Sequence, residues 1–235
     1  MIGIGLSPRA ARKVPFVPTN LATPCVGWWR ADRGITLNGG NVSQINDGSG
    51  LARHIAQAVA AKQPPWNASG GPGNQAYIGT FDHVIPQYLT GAWTQAQPIE
   101  LWTVALPSVA DRGVGTIHDG AGGGNNMRRY VTGAPASSIY AGASLNNEGD
   151  DTNQWRRRID LFNGANSMNR VGAAEVNGNA GTNAAAGMTL GIYGDGSTAN
   201  DPSDMRWCES IMYSAALTPS ERLVLDDYIA ARYGL

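Results

Sequence analysis

Short apolar runs, each bounded by glycine, asparagine or aspartate, follow one another after Pro24, and this spacing limits the possible folds more than any other feature. Each run has the length of a β-strand, and its boundaries carry the residues that tight turns need. The runs are CVGWWRA, AYIGTF, IELWTVAL, GVGTIH, SSIYAGAS, WRRRIDLF, MTLGIYG and RWCESIMYS. The chain has 31 glycines and 13 prolines but only 15% charged residues, which favours many strands over a helical bundle. The sequence therefore predicts an all-β fold.

The alternation in IELWTVAL predicts a strand in the middle of a sheet. Its two faces are formed by Ile99, Leu101 and Ala105 and by Trp102, Val104 and Leu106. Because side chains alternate between the faces of a strand, both faces are apolar and should be covered. The run WRRRIDLF differs, since it places three arginines and an aspartate among its apolar residues. One side of that strand is expected to meet water or a partner.

The end of the chain, LTPSERLVLDDYIAARYGL, predicts one helix over residues 218–233. Thr218 is a natural N-cap, Pro219 suits the first helical position, and Glu221 can complete a capping box. The residues expected on the buried side are Val224, Leu225, Tyr228, Ile229 and Ala231, with Asp226 and Asp227 opposite and Gly234 as the stop. We expect this helix to lie on the sheets and seal them.

The chain has 235 residues and 42% hydrophobic content, so a single all-β domain is the expected organisation. We predict a domain over residues 21–235, preceded by an extended arm over residues 1–20. The arm carries three prolines and a basic cluster, namely Pro8, Pro15, Pro18, Arg9, Arg12 and Lys13. The sequence leaves open whether the arm is a free terminus or a docking segment.

Charge and cysteine content exclude several classes of function. The net charge is −1, so neither nucleic acid nor an anionic membrane is an expected partner. The start of the chain lacks the pattern of a signal peptide, and no run is long enough to span a membrane, so we expect synthesis in a cytoplasm. The two cysteines, Cys25 and Cys208, have no metal-binding spacing. A disulfide between them is left open.

Residues for catalysis are not grouped in the sequence. The carboxylates near strands are single residues on separate runs, Glu100, Asp160 and Glu209, whereas glycoside hydrolysis needs a facing pair. No nucleophile elbow occurs, and the three histidines, His54, His83 and His118, are far apart and are expected to serve as surface or structural hydrogen-bonding groups. The glycine-rich stretches 120–126 and 194–199 predict turns, not phosphate loops. We therefore predict no catalytic residues, no resident cofactor and no enzyme activity.

Two binding chemistries stay open. Calcium ligands are available from Asp150 and Asp151, or from Asp195, Asp201 and Asp204, although solvated turn acids explain the same residues. A glycan would need an aromatic platform, which the seven tryptophans, Trp28, Trp29, Trp66, Trp93, Trp102, Trp155 and Trp207, offer as candidates. Adjacent residues of a strand point to opposite faces, so one ring of the first two is expected in the core. The other ring then lies under the helix, on the outer surface or in a groove.

Both ends of the domain carry motifs typical of one superfamily. These are VGWWRADRGITLNGGNVSQINDGSGLARHIAQAVAAKQP near the start and CESIMYSAALTPSERLVLDDYIAARYGL at the end, and FNGANSMNRVGAAEVNGNAGT between them is similar to an edge hairpin. Together they resemble the concanavalin-like, laminin-G-type jelly-roll domains of bacterial and phage proteins. The resemblance implies two antiparallel sheets packed face to face, with a C-terminal helix packed on them. It implies no single function.

Two functions are expected from these observations. The first is a non-catalytic structural or surface protein of a tailed-phage virion, a capsid decoration or fibre component. It would contact other virion proteins and, as an open question, further copies of itself. The alternative is a lectin-like glycan-binding module, with or without calcium, whose contact residues the spacing does not identify.

Overall fold

A computed structural model describes residues 16–108, 114–131, 137–149, 152–194 and 201–235. Most of the predicted arm, residues 1–15, lies outside the described residues. Over the described residues, seventeen strands form two antiparallel sheets, and one α-helix follows them. The predicted all-β sandwich with a C-terminal helix is confirmed. No helix in the described part of the chain has the length and apolar character needed to cross a membrane.

The strands of the first sheet run in the order β15–β14–β13–β8–β17–β6–β5, and β1 also pairs with β17. Their bounds are β1 (Cys25–Arg30), β5 (Trp66–Asn67), β6 (Tyr77–Ile78), β8 (Ile99–Ser108), β13 (Arg156–Phe162), β14 (Ser167–Val171), β15 (Ala174–Gly178) and β17 (Asp204–Tyr213). The segment predicted to be an edge hairpin forms β14 and β15, and β15 lies at the edge of the sheet. That prediction is confirmed.

The strands of the second sheet run in the order β12–β11–β10–β9–β16–β7–β4–β3–β2. Their bounds are β2 (Ile35–Asn38), β3 (Asn41–Ile45), β4 (Ile55–Ala56), β7 (Leu89–Gly91), β9 (Val114–Asp119), β10 (Met127–Val131), β11 (Ser137–Tyr140), β12 (Ser144–Asn147) and β16 (Met188–Leu190). Short 3-10 helices occupy Pro18–Asn20, Ala60–Lys62, Pro72–Asn74 and Gly164–Asn166.

Apolar side chains are buried on both faces of the first sheet. Between the sheets lie Trp29, Ile45, Leu101, Trp207 and their neighbours. On the other face a second cluster packs against the helix α1 (Pro219–Tyr233) and includes Trp28, Trp102 and Ile229. The order of layers is therefore helix, first sheet, second sheet.

Strand β8 has the central position predicted for it, with β13 on one side and β17 on the other. Ile99, Leu101 and Ala105 face the second sheet, whereas Trp102 and Val104 face the helix. The predicted assignment of side chains to two covered faces is confirmed.

The expectation that one side of β13 meets water or a partner is wrong. Arg158 and Asp160 are fully buried, because this strand is interior to its sheet and its charged side chains find partners there. The Arg158 guanidinium donates to the carbonyl of Ala105 at 2.6 Å. Arg157, on the opposite face, forms an ion pair of 2.7 Å with Asp226 of the helix.

Helix α1 begins and ends as predicted. Thr218 and Glu221 form the capping box, and Gly234 adopts a left-handed conformation at the C-terminus with φ of 69°. Its buried residues are Leu225, Ile229 and Tyr233. The expected burial of Val224 and Ala231 is wrong, since both are exposed, and Asp226 faces the sheet instead of water. The helix is therefore rotated about its own axis, so that its buried side differs from the predicted apolar side.

Cys25 and Cys208 are both free thiols. Their strands β1 and β17 are neighbours, but the register places Cys25 opposite Tyr213, and the carbonyl of Cys208 accepts from the N–H of Ala31. The two cysteines therefore lie at opposite ends of the paired segment. The disulfide that the sequence left open does not form.

Candidate functional site

One carboxylate organises the loop after β3. Asp47 accepts the backbone N–H groups of Trp28 at 2.9 Å, Ser49 at 2.8 Å and Arg53 at 3.1 Å, and the Ser49 hydroxyl at 2.6 Å. An aspartate followed by Gly-Ser-Gly suits this turn, because its side chain satisfies backbone donors that have no strand partner. Position 48 is a glycine, and a Cβ atom there would lie only 2.9 Å from the Trp28 ring. The loop therefore closes directly onto β1.

The two adjacent tryptophans of β1 separate as alternation predicts. Trp29 is fully buried between the sheets, and Trp28 lies on the helix side with 3% of its surface exposed. The Trp28 indole donates to Glu209 at 2.5 Å. Its ring position is therefore fixed by the loop on one side and by β17 on the other.

A crevice of about 170 Å³ lies beside the Trp28 ring. Its walls come from the end of β1, the turn before β2 and the Asp47 loop, and they include Arg30, Arg33 and Asn46. Two guanidinium groups lie over the indole, with the Cζ of Arg30 at 5.3 Å and that of Arg33 at 5.2 Å from the ring centroid. The crevice is thus lined by two guanidinium groups over an aromatic ring and by Asp47, whose carboxylate accepts backbone N–H groups.

The two arginines differ in their partners. Arg30 binds Asp32 through two hydrogen bonds of 2.8 and 2.7 Å, and Arg232 also contacts Asp32. Burial opposes the ionisation of Asp32, but its hydrogen bonds and the charges of both arginines outweigh burial and hold the pKa of Asp32 below its usual value. Among the described residues, no carboxylate lies within ion-pair distance of Arg33. Its guanidinium keeps donors free for an external group.

The sequence left open whether one of the seven tryptophans forms an exposed aromatic platform. Trp28, Trp29, Trp102 and Trp207 are buried, and Trp66, Trp93 and Trp155 are partly buried against the cores. Trp93 stacks on Trp29 with ring centroids 5.6 Å apart. All seven rings are buried or half-buried. The chemistry of the crevice is therefore that of charged donors and not of an open ring face.

The three candidate carboxylates all accept hydrogen bonds inside the protein. Glu100 accepts from Trp102 and from the N–H of Leu217, both at 2.9 Å, and pairs with Arg222 at 2.7 Å. Asp160 pairs with Arg128 and with His118, the latter at 2.8 Å. Glu209 accepts from Trp28 and from two tyrosines of α1. Each serves as a structural acceptor.

These carboxylates do not form a facing pair. Asp160 bonds residues of the second sheet, whereas Glu100 and Glu209 bond residues of α1, on the other face of the first sheet. The strand register pairs Glu100 with Tyr213 and Glu209 with Val104, so four residues separate them along the strands. At about 3.3 Å per residue the separation is ~13 Å, beyond the range of about 5–10 Å that glycoside hydrolysis uses.

The described histidines contact protein groups, and only two of the candidate calcium ligands lie in the described part of the chain. His54 accepts the N–H of Asp47 at 3.1 Å, and His118 is buried against Asp160. Of the candidate calcium ligands, Asp150, Asp151 and Asp195 lie outside the described residues. Asp201 pairs with Arg129 at 2.9 Å, and Asp204 lies 2.6 Å from His83. The calcium prediction is therefore untested.

The glycine-rich loop after β9 is a turn, as predicted. Asp119 accepts the N–H groups of Gly120 at 2.7 Å, Gly124 at 3.0 Å and Gly194 at 2.9 Å, so these amides are already occupied. Burial raises the pKa of Asp119 despite these bonds. The second turn, residues 194–199, lies outside the described residues beyond its first glycine.

Sequence reasoning missed the arginines of the crevice. Arg30 follows Trp28 by two residues on a strand, so both side chains share a face, and this signal was present in the sequence. Arg33 reaches the same ring only because the chain turns back after β1, as its bridge to Arg30 shows. That turn is not visible from side-chain spacing.

No protein-family model matches the chain, and no curated protein matches it. Solved structures do match. Trypanosoma rangeli sialidase in complex with sialic acid superposes with a TM-score of 0.52 at 11% identity, over 88% of this chain and 33% of the sialidase. Domain 4 of AbnA, an extracellular GH43 arabinanase from Geobacillus stearothermophilus, in complex with arabinotriose, superposes with a TM-score of 0.54 at 13% identity, over 86% of this chain and 98% of that domain.

A third match is to botulinum neurotoxin type C, whose cell entry is described as dependent upon interaction with two ganglioside molecules. The TM-score is 0.52 at 12% identity, over 88% of this chain and 51% of the toxin chain. The likeness is one of fold. It confirms the concanavalin-like sandwich, and this chain spans about a third of the length of the matched sialidases.

Proposed function

We propose that this chain is a non-catalytic glycan-binding module that holds an anionic sugar in the Trp28 crevice. The observation that carries the proposal is the Arg33 guanidinium, which lies over the Trp28 ring with no carboxylate partner among the described residues. A guanidinium binds a carboxylate or sulfate through paired, charge-assisted hydrogen bonds. The exposed amide of Asn46 adds a neutral polar group on the same wall.

The size of the crevice sets the length of the ligand. Its volume of about 170 Å³ is below the roughly 300–1,000 Å³ of sites that enclose drug-sized ligands. One terminal sugar residue is therefore the unit bound, and the rest of the glycan extends into solvent. Because Trp28 is nearly buried, the ring supports the arginines and contributes little direct stacking.

The fold is compatible with this proposal. The matched structures belong to proteins described with sialic acid, arabinotriose and gangliosides. Those ligands belong to those proteins, and similarity at this level of identity does not transfer a binding site. The local chemistry of Arg33 and Trp28 supports the choice of an anionic ligand independently of the matches.

The test is a glycan array probed with the full chain, containing neutral, carboxylated and sulfated glycans, followed by calorimetry with the best ligand. We expect anionic glycans to bind, with affinity falling as salt rises. Losing hydrogen bonds from a charged donor costs about 1.5–3 kcal/mol, so Arg33→Ala should weaken binding by about tenfold or more. Binding should persist in chelator, since the crevice uses side-chain donors.

The matched control is Arg206→Ala, because the Arg206 guanidinium also lies over an aromatic ring, Tyr77 at 5.5 Å, outside the crevice. This variant should bind like the parent chain. The proposal fails if no anionic glycan binds, or if Arg33→Ala and Arg206→Ala bind equally well.

The virion surface role stays a prediction from the sequence. One observation is compatible with it: Leu223 and Val224 are 66% and 42% exposed on the outer side of α1, where a neighbouring subunit would bury them. It can be tested by adding the purified chain to phage particles that lack it. Absence of any binding would remove this role.

A further inference from the structure

A cluster of metal-ligand side chains lies apart from the Trp28 crevice. Asp82 and His83 belong to the segment between β6 and β7, and Asp204 is the first residue of β17. One ligand atom from each of the three residues lies within 4.8 Å of the others. They line a cavity of about 350 Å³ together with Thr80 and Ser108. The cluster is partly buried but open to solvent on one side.

The backbone holds these three residues in place. Phe81, which precedes the cluster, is fully buried, and its N–H donates to the carbonyl of Met205 at 2.9 Å. The His83 N–H donates to Asp204 Oδ1 at 3.0 Å, and the Val84 N–H donates to Asp82 Oδ1 at 2.7 Å. Among the described atoms, these bonds leave Asp82 Oδ2 without a donor, and Asp204 Oδ2 contacts the His83 imidazole.

The contact between His83 and Asp204 is not an ordinary hydrogen bond. Nδ1 of His83 lies 2.6 Å from Asp204 Oδ2, yet among the described residues this buried nitrogen has no partner in hydrogen-bond alignment. Two ligands bound tetrahedrally to one zinc ion at about 2.1 Å lie about 3.4 Å apart, so this contact would widen by about 1 Å around a bound ion. Within the described residues, His83 Nδ1 therefore lies beside this carboxylate without an aligned hydrogen bond that a cation would have to replace.

The charge of the cluster also calls for a cation. Asp82 and Asp204 bring two carboxylates together, and within the described part of the chain neither pairs with lysine or arginine. The side chains of His83 and Asp204 are only 17% and 12% exposed, so water screens them incompletely. A divalent ion would neutralise both carboxylates.

We propose that Asp82, His83 and Asp204 form a binding site for a divalent transition metal of the Zn²⁺ class. One imidazole nitrogen and two carboxylate oxygens suit zinc, cobalt or manganese, whereas calcium and magnesium prefer oxygen ligands alone. Three protein ligands leave at least one coordination position facing the cavity, where water or an oxygen of a bound molecule can sit. The site is distinct from the proposed glycan crevice and does not depend on it.

The experiment uses the full chain with any purification tag removed and with metals stripped by chelator. Titration with Zn²⁺ followed by calorimetry should give one saturable site, and Zn²⁺ should raise the melting temperature. Co²⁺ should give visible absorption bands of a site with mixed nitrogen and oxygen ligands. Ca²⁺ at the same concentration should give no binding heat and should leave the melting temperature unchanged.

Three variants locate the site. His83→Ala and Asp204→Asn should each weaken Zn²⁺ binding by at least about tenfold. Asp201→Asn is the matched control, because Asp201 is an aspartate three positions away that pairs with Arg129, and it should bind like the parent chain. Should Asp204→Asn fail to fold, His83→Ala in the preceding loop still decides.

The proposal is wrong if the parent chain shows no stoichiometric Zn²⁺ or Co²⁺ binding. It is equally wrong if His83→Ala binds Zn²⁺ as the parent does, or if Ca²⁺ binds and Zn²⁺ does not. Glycan binding by the same samples reports separately on the Trp28 crevice.

Discussion

The indole N–H of Trp28 donates to the carboxylate of Glu209 across the pairing of β1 with β17. The same carboxylate accepts the hydroxyls of Tyr228 at 2.9 Å and Tyr233 at 2.7 Å, both from α1. Burial raises the pKa of Glu209, and its three hydrogen bonds oppose that rise. One buried carboxylate thus joins the wall of the crevice, the first sheet and the helix.

Replacing Glu209 by alanine should therefore destabilise the fold strongly. The buried donors of Trp28 and Tyr233 and the half-buried hydroxyl of Tyr228 would lose their acceptor. An unsatisfied buried donor costs about 1–3 kcal/mol. We expect a loss of at least about 3 kcal/mol in the free energy of unfolding, measured by urea denaturation. Tyr228→Phe, which removes a single hydrogen bond, should cost about 1 kcal/mol. Equal stability of Glu209→Ala and the parent would show that these donors do not depend on the carboxylate.

The ion pair of Arg128 with Asp160 should be as sensitive to substitution as the Glu209 contacts. Both side chains are fully buried, and Asp160 also accepts from His118. The Arg128 charge and these hydrogen bonds outweigh burial and hold the pKa of Asp160 below its usual value. Asp160→Ala should cost about 3–5 kcal/mol, because it removes the buried carboxylate that both Arg128 and His118 bind.

A matched ion pair nearer the surface gives the comparison for Asp160→Ala. Arg157 and Asp226 are 2.7 Å apart with side chains 16% and 23% exposed, so Asp226→Ala should cost only about 0–1 kcal/mol. Urea denaturation of the two variants measures the difference. If they proved equally stable, burial would not be what makes the Asp160 pair important.

These two ion pairs show where sequence reasoning reached its limit. Alternation placed the side chains of β8 on their faces, and the capping box placed the start of α1, because both patterns are local. The burial of Asp160 was missed because its partner Arg128 is 32 residues away and on the other sheet. Neither charge can be called buried until the pairing of strands is known.

The crevice was predictable only in part. The Trp28 and Trp29 pair indicated one ring in the core and one outside it, and Trp29 occupies the core. The Arg33 contact with Trp28 and the Asp82, His83 and Asp204 cluster depend on turns and on strands far apart in the chain. The exposed Val224 was missed because a pattern of apolar residues fixes the rotation of a helix only approximately.

The capping box predicts a loss of stability in acid. Glu221 accepts from the N–H groups of Thr218 and Thr23, and these backbone hydrogen bonds lower its pKa from 4.5 to about 2. Because the folded pKa is the lower one, this stabilisation is complete above pH 4.5 and is lost as the pH falls towards 2.

A pH series of urea denaturation, comparing the parent chain with Glu221→Gln, tests the acid effect. The parent should be the more stable at pH 7, and the difference should shrink between pH 4.5 and pH 2. Thr218→Ala should cost about 1 kcal/mol at pH 7 and less near pH 2, because the Thr218 hydroxyl accepts the Glu221 N–H and also donates to the Glu221 carboxylate. A difference for Glu221→Gln that does not change with pH would contradict the assignment.

The thiols should be unreactive in the folded protein. Burial raises the pKa of Cys25 to about 12, and burial also raises the pKa of Cys208. At pH 8 the thiolate fraction of Cys25 is then about 10⁻⁴, and the thiolate is the reactive form.

A disulfide reagent tests this expectation. It should label neither cysteine rapidly in the native state, and it should label both cysteines in urea without reductant. Cys25→Ser should leave one reactive thiol in urea. If the denatured, unreduced parent gave no reaction, the two cysteines would be joined, and the register that pairs Cys25 with Tyr213 would have to be wrong.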